Sequence, residues 1–377
     1  MNILSPIFKD ISPCFYRGSW YFGIVWLSKR TPFFKDFLCM ITIKHSEPQL
    51  DFSDVLLVPR VHTKSIASRS EVSLLDPNLN AVPIIVANMD SIGTFQMAQH
   101  LKEFRLMVAL LKDFPVSEWE ENVKELNLDP ALLIPSLGTR DLDKEIARLK
   151  TLTSLFPTIP FVCLDVANGY LQASADAVRA LKDALPDVKV CAGNVVDELG
   201  VEHLARAGAD IVKIGIGSGG VCLTRQKTGV GYPQFSAMHR VRAAATALNV
   251  QLVSDGGITN PGDVAKAFAA GSDFVMAGSY FAGHEETGTH FHGMSSDRSR
   301  VKRGEAVLDY RATEGREVVL HSKGSLAHTL RDLTGGLRSA CTYLGVSSLD
   351  ELKHAEIEVI RVNQQLNRIS GVASEGK

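Results

Sequence analysis

The chain has 377 residues, of which 45% are hydrophobic, and 40 Lys and Arg face 42 Asp and Glu. This length and balance predict a globular protein with a large core, and they exclude intrinsic disorder and an overall basic surface for nucleic acid. The six cysteines show no zinc-like spacing, and the apolar run 20–27 is far shorter than the roughly 20 residues of a membrane helix. We therefore expect a cytoplasmic protein with no membrane partner.

Residues 1–39 differ in composition from the rest of the chain. They hold ten of the 27 aromatic residues, and charges at Lys9, Asp10 and Arg17 interrupt the apolar stretch that a secretory signal needs. Two interpretations stay open: a peripheral arm that binds a membrane or a partner, and a stretch upstream of a true start at Met40. We expect the second, with residues 40–377 forming one catalytic domain.

From about residue 40 onward, apolar runs alternate with helical patterns. Val-, Ile- and Leu-rich runs fall at 82–87, 106–110, 131–135, 161–165, 188–192, 210–214, 251–254 and 273–277. Helical patterns lie at 116–126, 142–155, 173–185, 195–207, 232–248 and 260–270. Eight β-then-α units over about 200 residues predict an α/β fold, the (β/α)8 TIM barrel, with a doubly wound sheet as the alternative.

In such a barrel the chemistry lies just after each strand. The seventh run is followed by Asp255-Gly256-Gly257 and the eighth by Gly278-Ser279. Glycines let backbone N–H groups approach a phosphate, and barrels often bind phosphate at these two loops. The two turns therefore predict a phosphate site.

The loop after the sixth run, residues 215–234, holds six glycines in twenty residues. A loop of this length and composition indicates function rather than simple connection. It carries Cys222 with Arg225 and Lys227 nearby, and neighbouring cations favour a nucleophilic thiolate. The carbonyls of Gly217, Gly219 and Cys222 also suit a monovalent cation.

Several motifs together resemble the IMP dehydrogenase and GMP reductase family. They are the loop 215–234, NMDSIGT (88–94), DVANGY (165–170), CAGNVV (191–196), SDGGIT (254–259), the stretch 261–283, GMSS (293–296) and YRATEG (310–315). The resemblance covers residues 51–361. It implies a barrel enzyme of purine metabolism, and the pattern is most similar to the reductase branch, which converts GMP to IMP and ammonia with NADPH.

Two features favour the reductase branch over the dehydrogenase branch. Dehydrogenases usually insert nucleotide-sensing repeats after the second strand, but only twenty residues separate Leu110 from Ala131. The dehydrogenase also hydrolyses its intermediate with a flap that contains an Arg-Tyr pair, and residues 284–312 hold none beyond YRATEG. A dehydrogenase without its insert and a non-catalytic nucleotide-binding barrel stay open as alternatives.

The resemblance implies specific roles for residues of this chain. Cys222 would attack C2 of the guanine, and Thr224 with Glu314 would form the proton relay that helps the amine to leave. The implied GMP contacts are Asp255, Gly256, Gly257, Gly278, Ser279, Met294, Ser295, Ser296, Arg311 and Gly315. The implied NADPH contacts are Ser68, Arg69, Lys112, Asp165, Val166, Ala167, Ile216 and Gly217, with Ser339 to Thr342 from a neighbouring subunit of a homotetramer. A monovalent cation, K⁺, would be held by Gly217, Gly219, Cys222 and Arg225.

The chain departs from the family pattern at a few positions. Ser218-Gly219-Gly220 replaces a proline-glycine-serine, and Leu223 replaces a threonine. At 111–114 only the lysine of an HKHY-like stretch is kept, and the stretch 284–293 is short. We expect a looser cysteine loop and cation site from the change at 218–220, and an altered cofactor contact at 111–114. A modified purine nucleotide is an alternative substrate.

Overall fold

The computed structural model describes residues 47–61, 66, 68–112, 114–302 and 312–362. The segment 1–39 and Arg311, to which the sequence assigned roles, lie outside the described residues. Within the described ranges, no helix combines the length and apolar character needed to cross a membrane. The architecture below is that of residues 49–362.

A closed parallel barrel forms the centre of the described chain, and a short strand, β1 (Val55–Leu57), precedes it. Each barrel strand pairs with the next one in sequence, and the last pairs with the first. The strands are β2 Val82–Val86, β3 Leu106–Leu110, β4 Leu133–Leu137, β5 Val162–Asp165, β6 Val190–Val195, β7 Ile211–Ile214, β8 Gln251–Asp255 and β9 Phe274–Ala277. The predicted (β/α)8 fold is confirmed.

Burial explains why the sequence pattern located these strands well. Side chains on both faces of a barrel strand are covered, by the barrel interior or by the surrounding helices, so the strands are nearly continuous apolar runs. Most strand ends agree within one residue, but β4 (Leu133–Leu137) and β6 (Val190–Val195) begin two residues later than predicted. The delay of β4 has a local cause. The Asp129 side chain accepts a hydrogen bond from the Ala131 amide at 3.0 Å, and Pro130 opens a short 3-10 turn that delays the strand.

Helices follow the strands and surround the barrel. They are α1 Phe95–Leu101, α2 Val116–Glu125, α3 Leu142–Leu155, α4 Gln172–Ala184, α5 Glu198–Arg206, α6 Thr224–Thr228, α7 Gln234–Leu248, α8 Pro261–Ala269, α9 Asp297–Lys302, α10 Leu326–Leu344 and α11 Leu349–His354. The six predicted helices are present, each within three residues of its expected ends. Helix α5 begins at 198 rather than 195, because Asp197 caps it by accepting from the Gly200 amide at 3.0 Å.

Two strand pairs lie outside the barrel. Strand β10 (His290–His292) pairs antiparallel with β11 (Glu317–Val319), and β1 pairs with β12 (Val359–Arg361). The first pair brings Gly293 against the following segment, where its amide donates to the Arg316 carbonyl at 3.1 Å. This hairpin therefore carries two separate stretches of sequence to the same end of the barrel.

Candidate active site

The carboxyl ends of the barrel strands surround a cavity of about 760 Å³. Its lining comes from the carboxyl ends of all eight strands, from turns that follow them and from the β10–β11 hairpin, which is the usual position of a barrel active site. Sequence-assigned residues that line it are Lys112, Asp165, Val166, Ala167, Ile216, Gly217, Gly219, Cys222, Thr224, Asp255, Gly256, Gly257, Gly278, Ser279, Met294, Ser295, Glu314 and Gly315. The structure thus brings most of the assigned residues to one place.

Cys222, Thr224 and Glu314 form a continuous hydrogen-bonded chain in this cavity. The Cys222 thiol donates to Thr224 Oγ1 at 3.2 Å, and the Thr224 hydroxyl donates to Glu314 Oε2 at 2.7 Å. All three residues are half-buried. A hydroxyl that accepts from a thiol while donating to a carboxylate is arranged to pass a proton between them.

Backbone contacts fix the two segments that meet in this chain. The Leu223 amide donates to the Glu314 carbonyl at 2.6 Å, and the Arg316 amide donates to the Val221 carbonyl at 3.0 Å. Cys222 and Gly315 form an antiparallel bridge between these contacts. Because the Leu223 contact uses only the backbone, the departure from threonine at this position leaves it intact.

The cysteine loop is anchored to the barrel by Arg225 and Ser218. Arg225 Nη1 lies 3.0 Å from Asp51 Oδ2, and its Nη2 donates to the Tyr232 carbonyl at 2.5 Å. The Ser218 hydroxyl donates to the Asp255 carbonyl at 2.9 Å. The loop also contains α6, so it is more ordered than its glycine content predicted, and the Arg225 guanidinium serves as an anchor rather than as a partner of the thiol.

Gly217 allows this anchoring. Its φ of +78° lies in the left-handed region, and a Cβ built there would come within 2.5 Å of Arg225 Cγ. Any larger residue would displace the arginine that holds the loop. The glycine is thus required by both backbone conformation and side-chain packing.

The predicted phosphate turns converge at one side of the cavity. Gly256, with φ +93°, follows β8, and Gly278–Ser279 follow β9. A Cβ built on Gly220 would lie 2.9 Å from Ser279 Oγ, so the cysteine loop also approaches this turn. The sequence interpretation missed Lys323, whose Nζ donates to the carbonyls of Ser279 and Tyr280 at 3.1 Å each. Lys323 brings positive charge next to the turn.

A buried lysine, Lys213, was also missed by the sequence interpretation. It links Asp165 at the end of β5 with Asp255 at the end of β8, and both carboxylates line the cavity. Lys213 on β7 is 1% exposed, bonds Asp165 directly and lies 3.2 Å from Asp255 Oδ2. Burial alone disfavours its charge, but the two carboxylates outweigh burial and raise the pKa of Lys213 well above its ordinary value. Burial likewise opposes the charge of Asp165, yet Lys213 holds the pKa of Asp165 below its ordinary value. Lys213 and Asp165 therefore stabilise each other's charged form.

Asn194 extends this network toward the cavity. Its Nδ2 donates to Asp255 Oδ2 at 2.8 Å and to the Gly215 carbonyl at 2.7 Å. Its Oδ1 is buried and has no hydrogen-bond partner among the described residues, although the residue lines the cavity. A buried acceptor in this state can be satisfied by an N–H group of a ligand.

Basic and acidic side chains both line the cavity after β3 and β4, where Lys112, Arg140 and Lys144 lie with Asp141 and Glu145. Lys112 lies near enough to Asp165 to help lower its pKa. Arg140 and Lys144, which the sequence interpretation did not select, line the same cavity. They follow β4 in the stretch Gly138-Thr139-Arg140-Asp141, which has the same glycine and polar character as the other strand ends. The glycine and polar residues after β4 were therefore the sequence signal that could have selected Arg140 and Lys144.

Five assigned side chains do not line the cavity of this chain. Ser296 is 3% exposed, and its hydroxyl accepts from the Ser299 amide at 3.3 Å, so it supports α9 rather than the cavity wall. Ser68 and Arg69 lie at a short 3-10 helix, residues 69–71, that packs against α10. Ser339 and Thr342 lie on α10 itself. Ser68 and Arg69 do not line this cavity, and their role in cofactor binding stays a prediction.

The cation site assigned from the sequence consists of backbone carbonyls. The carbonyl of Gly219 accepts from the Cys222 amide at 3.0 Å, and that of Arg225 accepts from the Gly229 amide at 3.2 Å. A carbonyl oxygen has a second lone pair, so neither bond prevents cation binding. Among the described residues no group of His, Cys, Asp or Glu could hold a metal ion.

The closed barrel with a cysteine-bearing loop at its carboxyl end defines a (β/α)8 enzyme. A family model described as IMP dehydrogenase / GMP reductase domain matches residues 49–373. GMP reductase of Ascaris suum is 42% identical over 345 residues, which cover 85% of this chain and 95% of that protein. GMP reductase of Yersinia enterocolitica is 45% identical over 345 residues, which cover 86% and 97%.

The chain belongs to the IMP dehydrogenase / GMP reductase family. The match extends over nearly the whole length of the relatives, so it includes the barrel, the cysteine loop and the β10–β11 hairpin. The family resemblance seen in the sequence motifs is confirmed.

Proposed function

We propose that this protein reduces GMP to IMP and ammonia with NADPH, a step of purine nucleotide interconversion and salvage in the cytoplasm. The observation that carries the proposal is the hydrogen-bonded chain Cys222–Thr224–Glu314 at the wall of a nucleotide-sized cavity. Relatives that share 42–45% of their residues with this chain are named GMP reductases. A thiol, a hydroxyl and a carboxylate in contact are the groups that replacement of an aromatic amine needs.

In the first step the Cys222 sulfur attacks C2 of the guanine. The thiol proton passes through Thr224 to Glu314 and then to the departing amine, so the C2–N bond breaks and neutral ammonia leaves. A thioimidate remains, in which C2 is bonded to the cysteine sulfur. Without this proton the leaving group would be an amide-like anion, which is very poor.

In the second step C2 receives a hydride and the carbon–sulfur bond breaks, which releases IMP and returns Cys222 as the thiolate. When bound, NADPH supplies that hydride. The cavity fits such a cofactor beside a nucleotide, because it extends from the phosphate turns to Lys112, Arg140 and Lys144. The buried acceptor Asn194 Oδ1 suits the N–H of a carboxamide, and the cations suit phosphates, including a 2′-phosphate.

The nucleotide binds in the other half of the cavity. Asp255 holds the ribose hydroxyls, since a carboxylate repels phosphate, and Lys213 with Asn194 orients that carboxylate. Gly256, Gly257, Gly278 and Ser279 receive the phosphate, while Met294, Ser295 and Gly315 cover the base.

Two further elements of the proposal concern assembly and ions. The 3-10 helix 69–71, which Ser68 precedes, packs against α10, which carries Ser339 and Thr342. We infer that these four residues reach a cofactor held by a neighbouring subunit of a homotetramer. A monovalent cation, K⁺, is coordinated by the carbonyls of Gly217, Gly219, Cys222 and Arg225. Carbonyl oxygens are hard ligands without charge, which suits an ion of low charge.

The proposal is tested by incubating the purified protein with NADPH and GMP and following NADPH absorbance together with nucleotide products. We expect NADPH loss that depends on GMP, with IMP appearing in equal amount. The Cys222→Ser variant should abolish turnover and keep GMP affinity. NADH formation from IMP and NAD⁺ in the parallel reaction, or no reaction in either mixture, would contradict the proposal.

A further inference from the structure

One carboxylate oxygen joins three distant parts of the chain outside the reacting groups. Asp90 follows β2, and its Oδ2 accepts from His292 Nε2 at 2.9 Å and from the Ser299 hydroxyl at 2.7 Å. His292 ends β10 and Ser299 lies on α9. The side chains of Asp90 and His292 are 5% and 9% exposed, and Ser299 is 0% exposed.

These three residues are not a nucleophilic triad. In such a triad the serine donates to the histidine, and the histidine then contacts the carboxylate. Here both the serine and the histidine bind the same carboxylate oxygen, and Ser299 has no access to solvent or substrate. The arrangement therefore serves to hold structure rather than to form a covalent intermediate.

The bonded residues flank one short loop of the cavity wall. His292 precedes and Ser299 follows residues 293–298, so Asp90 fixes both ends of this loop to the barrel. Gly293, Met294 and Ser295 of the loop line the cavity. A carboxylate only accepts, so His292 Nε2 and the Ser299 hydroxyl are the donors in these two contacts.

The same loop also contacts the segment that carries Glu314. The Thr313 hydroxyl donates to Asp297 Oδ1 at 2.7 Å, and Arg298 forms an ion pair with Glu317. A shift of residues 293–298 would therefore move both the cavity wall and the carboxylate of the proton relay. The Asp90 attachment determines where this combined unit lies relative to the barrel.

We propose that Asp90, His292 and Ser299 are positioning residues that hold the wall 293–298 against the guanine base during the reaction. This inference rests on the proposed function, since it names the support of the base-covering wall. The physical reason is orientation: a displacement of about 1 Å between reacting groups can cost about a hundredfold in rate. The effect acts through Met294 and Ser295 and not through contact of Asp90 with substrate.

The test compares His292→Leu and Ser299→Ala with two matched variants. His292→Gln keeps an N–H donor near the Nε2 position, and His290→Leu changes an exposed histidine on the same strand. We expect His292→Leu to lower kcat/KM for GMP by about 10- to 100-fold with the KM for NADPH within about twofold of the parent. Ser299→Ala should lose about 5- to 10-fold. His292→Gln should recover most of the loss, and His290→Leu should equal the parent.

Hydrogen exchange of residues 290–302 and 312–319 measures the attachment without any activity. We expect faster exchange there in His292→Leu and Ser299→Ala, and parent-like exchange in His292→Gln. Unchanged exchange in both disrupted variants, equal losses in His292→Gln and His292→Leu, or faster exchange with full activity would each overturn the inference. If the parent does not reduce GMP, the proposed function fails, while the exchange experiment still decides whether the attachment exists.

Discussion

The Thr224 hydroxyl donates to Glu314 Oε2 at 2.7 Å, although the two residues are 90 positions apart in sequence. The same hydroxyl accepts from the Cys222 thiol, so a single threonine connects the proposed nucleophile in the loop after β7 with the proposed acid near the β10–β11 hairpin. Backbone bonds on both sides of this contact fix its geometry. The relay therefore depends on correct docking of the hairpin on the barrel.

Replacing Glu314 by Gln removes the proton acceptor of the relay. We expect Glu314→Gln and Thr224→Val to lower kcat for GMP by about 10²- to 10⁴-fold, the range of general acid–base catalysis. The KM for GMP should change little, because neither group is needed to bind the nucleotide. Rapid mixing with GMP and NADPH measures ammonia release directly.

Because the two residues act in one relay, their losses should not add. The double variant Glu314→Gln with Thr224→Val should be about as slow as the slower single variant. Additive losses would show that the residues act independently. Glu120→Gln, which changes an exposed acid on α2 that does not line the cavity, serves as the control.

Lys213→Met removes the buried charge between Asp165 and Asp255. We expect it to destabilise the fold by about 3 kcal/mol, since it leaves carboxylates without their counter-charge in the barrel interior. Arg179→Met is the matched control, because it breaks an exposed ion pair with Asp176 and should cost less than about 1 kcal/mol. Urea unfolding measures both values.

The pH dependence of this loss has a defined sign. In the parent, Lys213 keeps the pKa of Asp165 below its unfolded value, so its stabilising contribution is present above that value and is lost as pH falls through the folded pKa. In Lys213→Met the two carboxylates repel each other, and protonating one relieves the repulsion. The stability difference between parent and variant should therefore be smaller near pH 4 than near pH 7. A constant difference would contradict the inference that Lys213 lowers the pKa of Asp165.

Arg140→Ala combined with Lys144→Ala removes two cations from the cofactor half of the cavity. We expect the KM for NADPH to rise about tenfold, equivalent to about 1.4 kcal/mol, with the KM for GMP unchanged. The effect on NADPH should exceed that on NADH if these side chains bind the 2′-phosphate. Lys150→Ala, an exposed position on the same helix outside this cavity, is the control. Equal effects on both cofactors would assign the cations to the phosphates that NADPH and NADH share.

The barrel was predictable because its strands are buried on both faces, which produces apolar runs of a recognisable length. Helix α10 was not predicted from the sequence, although its residues Leu326, Leu330, Leu333 and Leu337 form a buried stripe. Its centre holds Gly335 and Gly336, which are poor helix formers on their own. A Cβ at Gly336 would come within 2.7 Å of Pro261, so close packing on α8 explains the glycine. Packing of α10 on α8 therefore stabilises the helix despite the low helix propensity of its two central glycines.

Site residues that directly follow predicted strands could be selected from the sequence. Site residues at other positions could be selected only in part. Lys213 lies within a predicted strand, and a charge inside an apolar run was the signal that a buried counter-charge exists. The contact of Asp90 with His292 joins residues 202 positions apart and has no local signature. The placement of Ser68 and Arg69 against α10 likewise depends on tertiary packing, which neither motif spacing nor composition encodes.

The most direct test of the central claim uses NADPH that carries deuterium at the transferred position, with GMP as the substrate. The account predicts IMP with one deuterium at C2 for each NADPH consumed, and no transfer by Cys222→Ser. IMP without deuterium at C2, or NADPH oxidation that leaves GMP unchanged, would contradict replacement of the amino group by the hydride at this site.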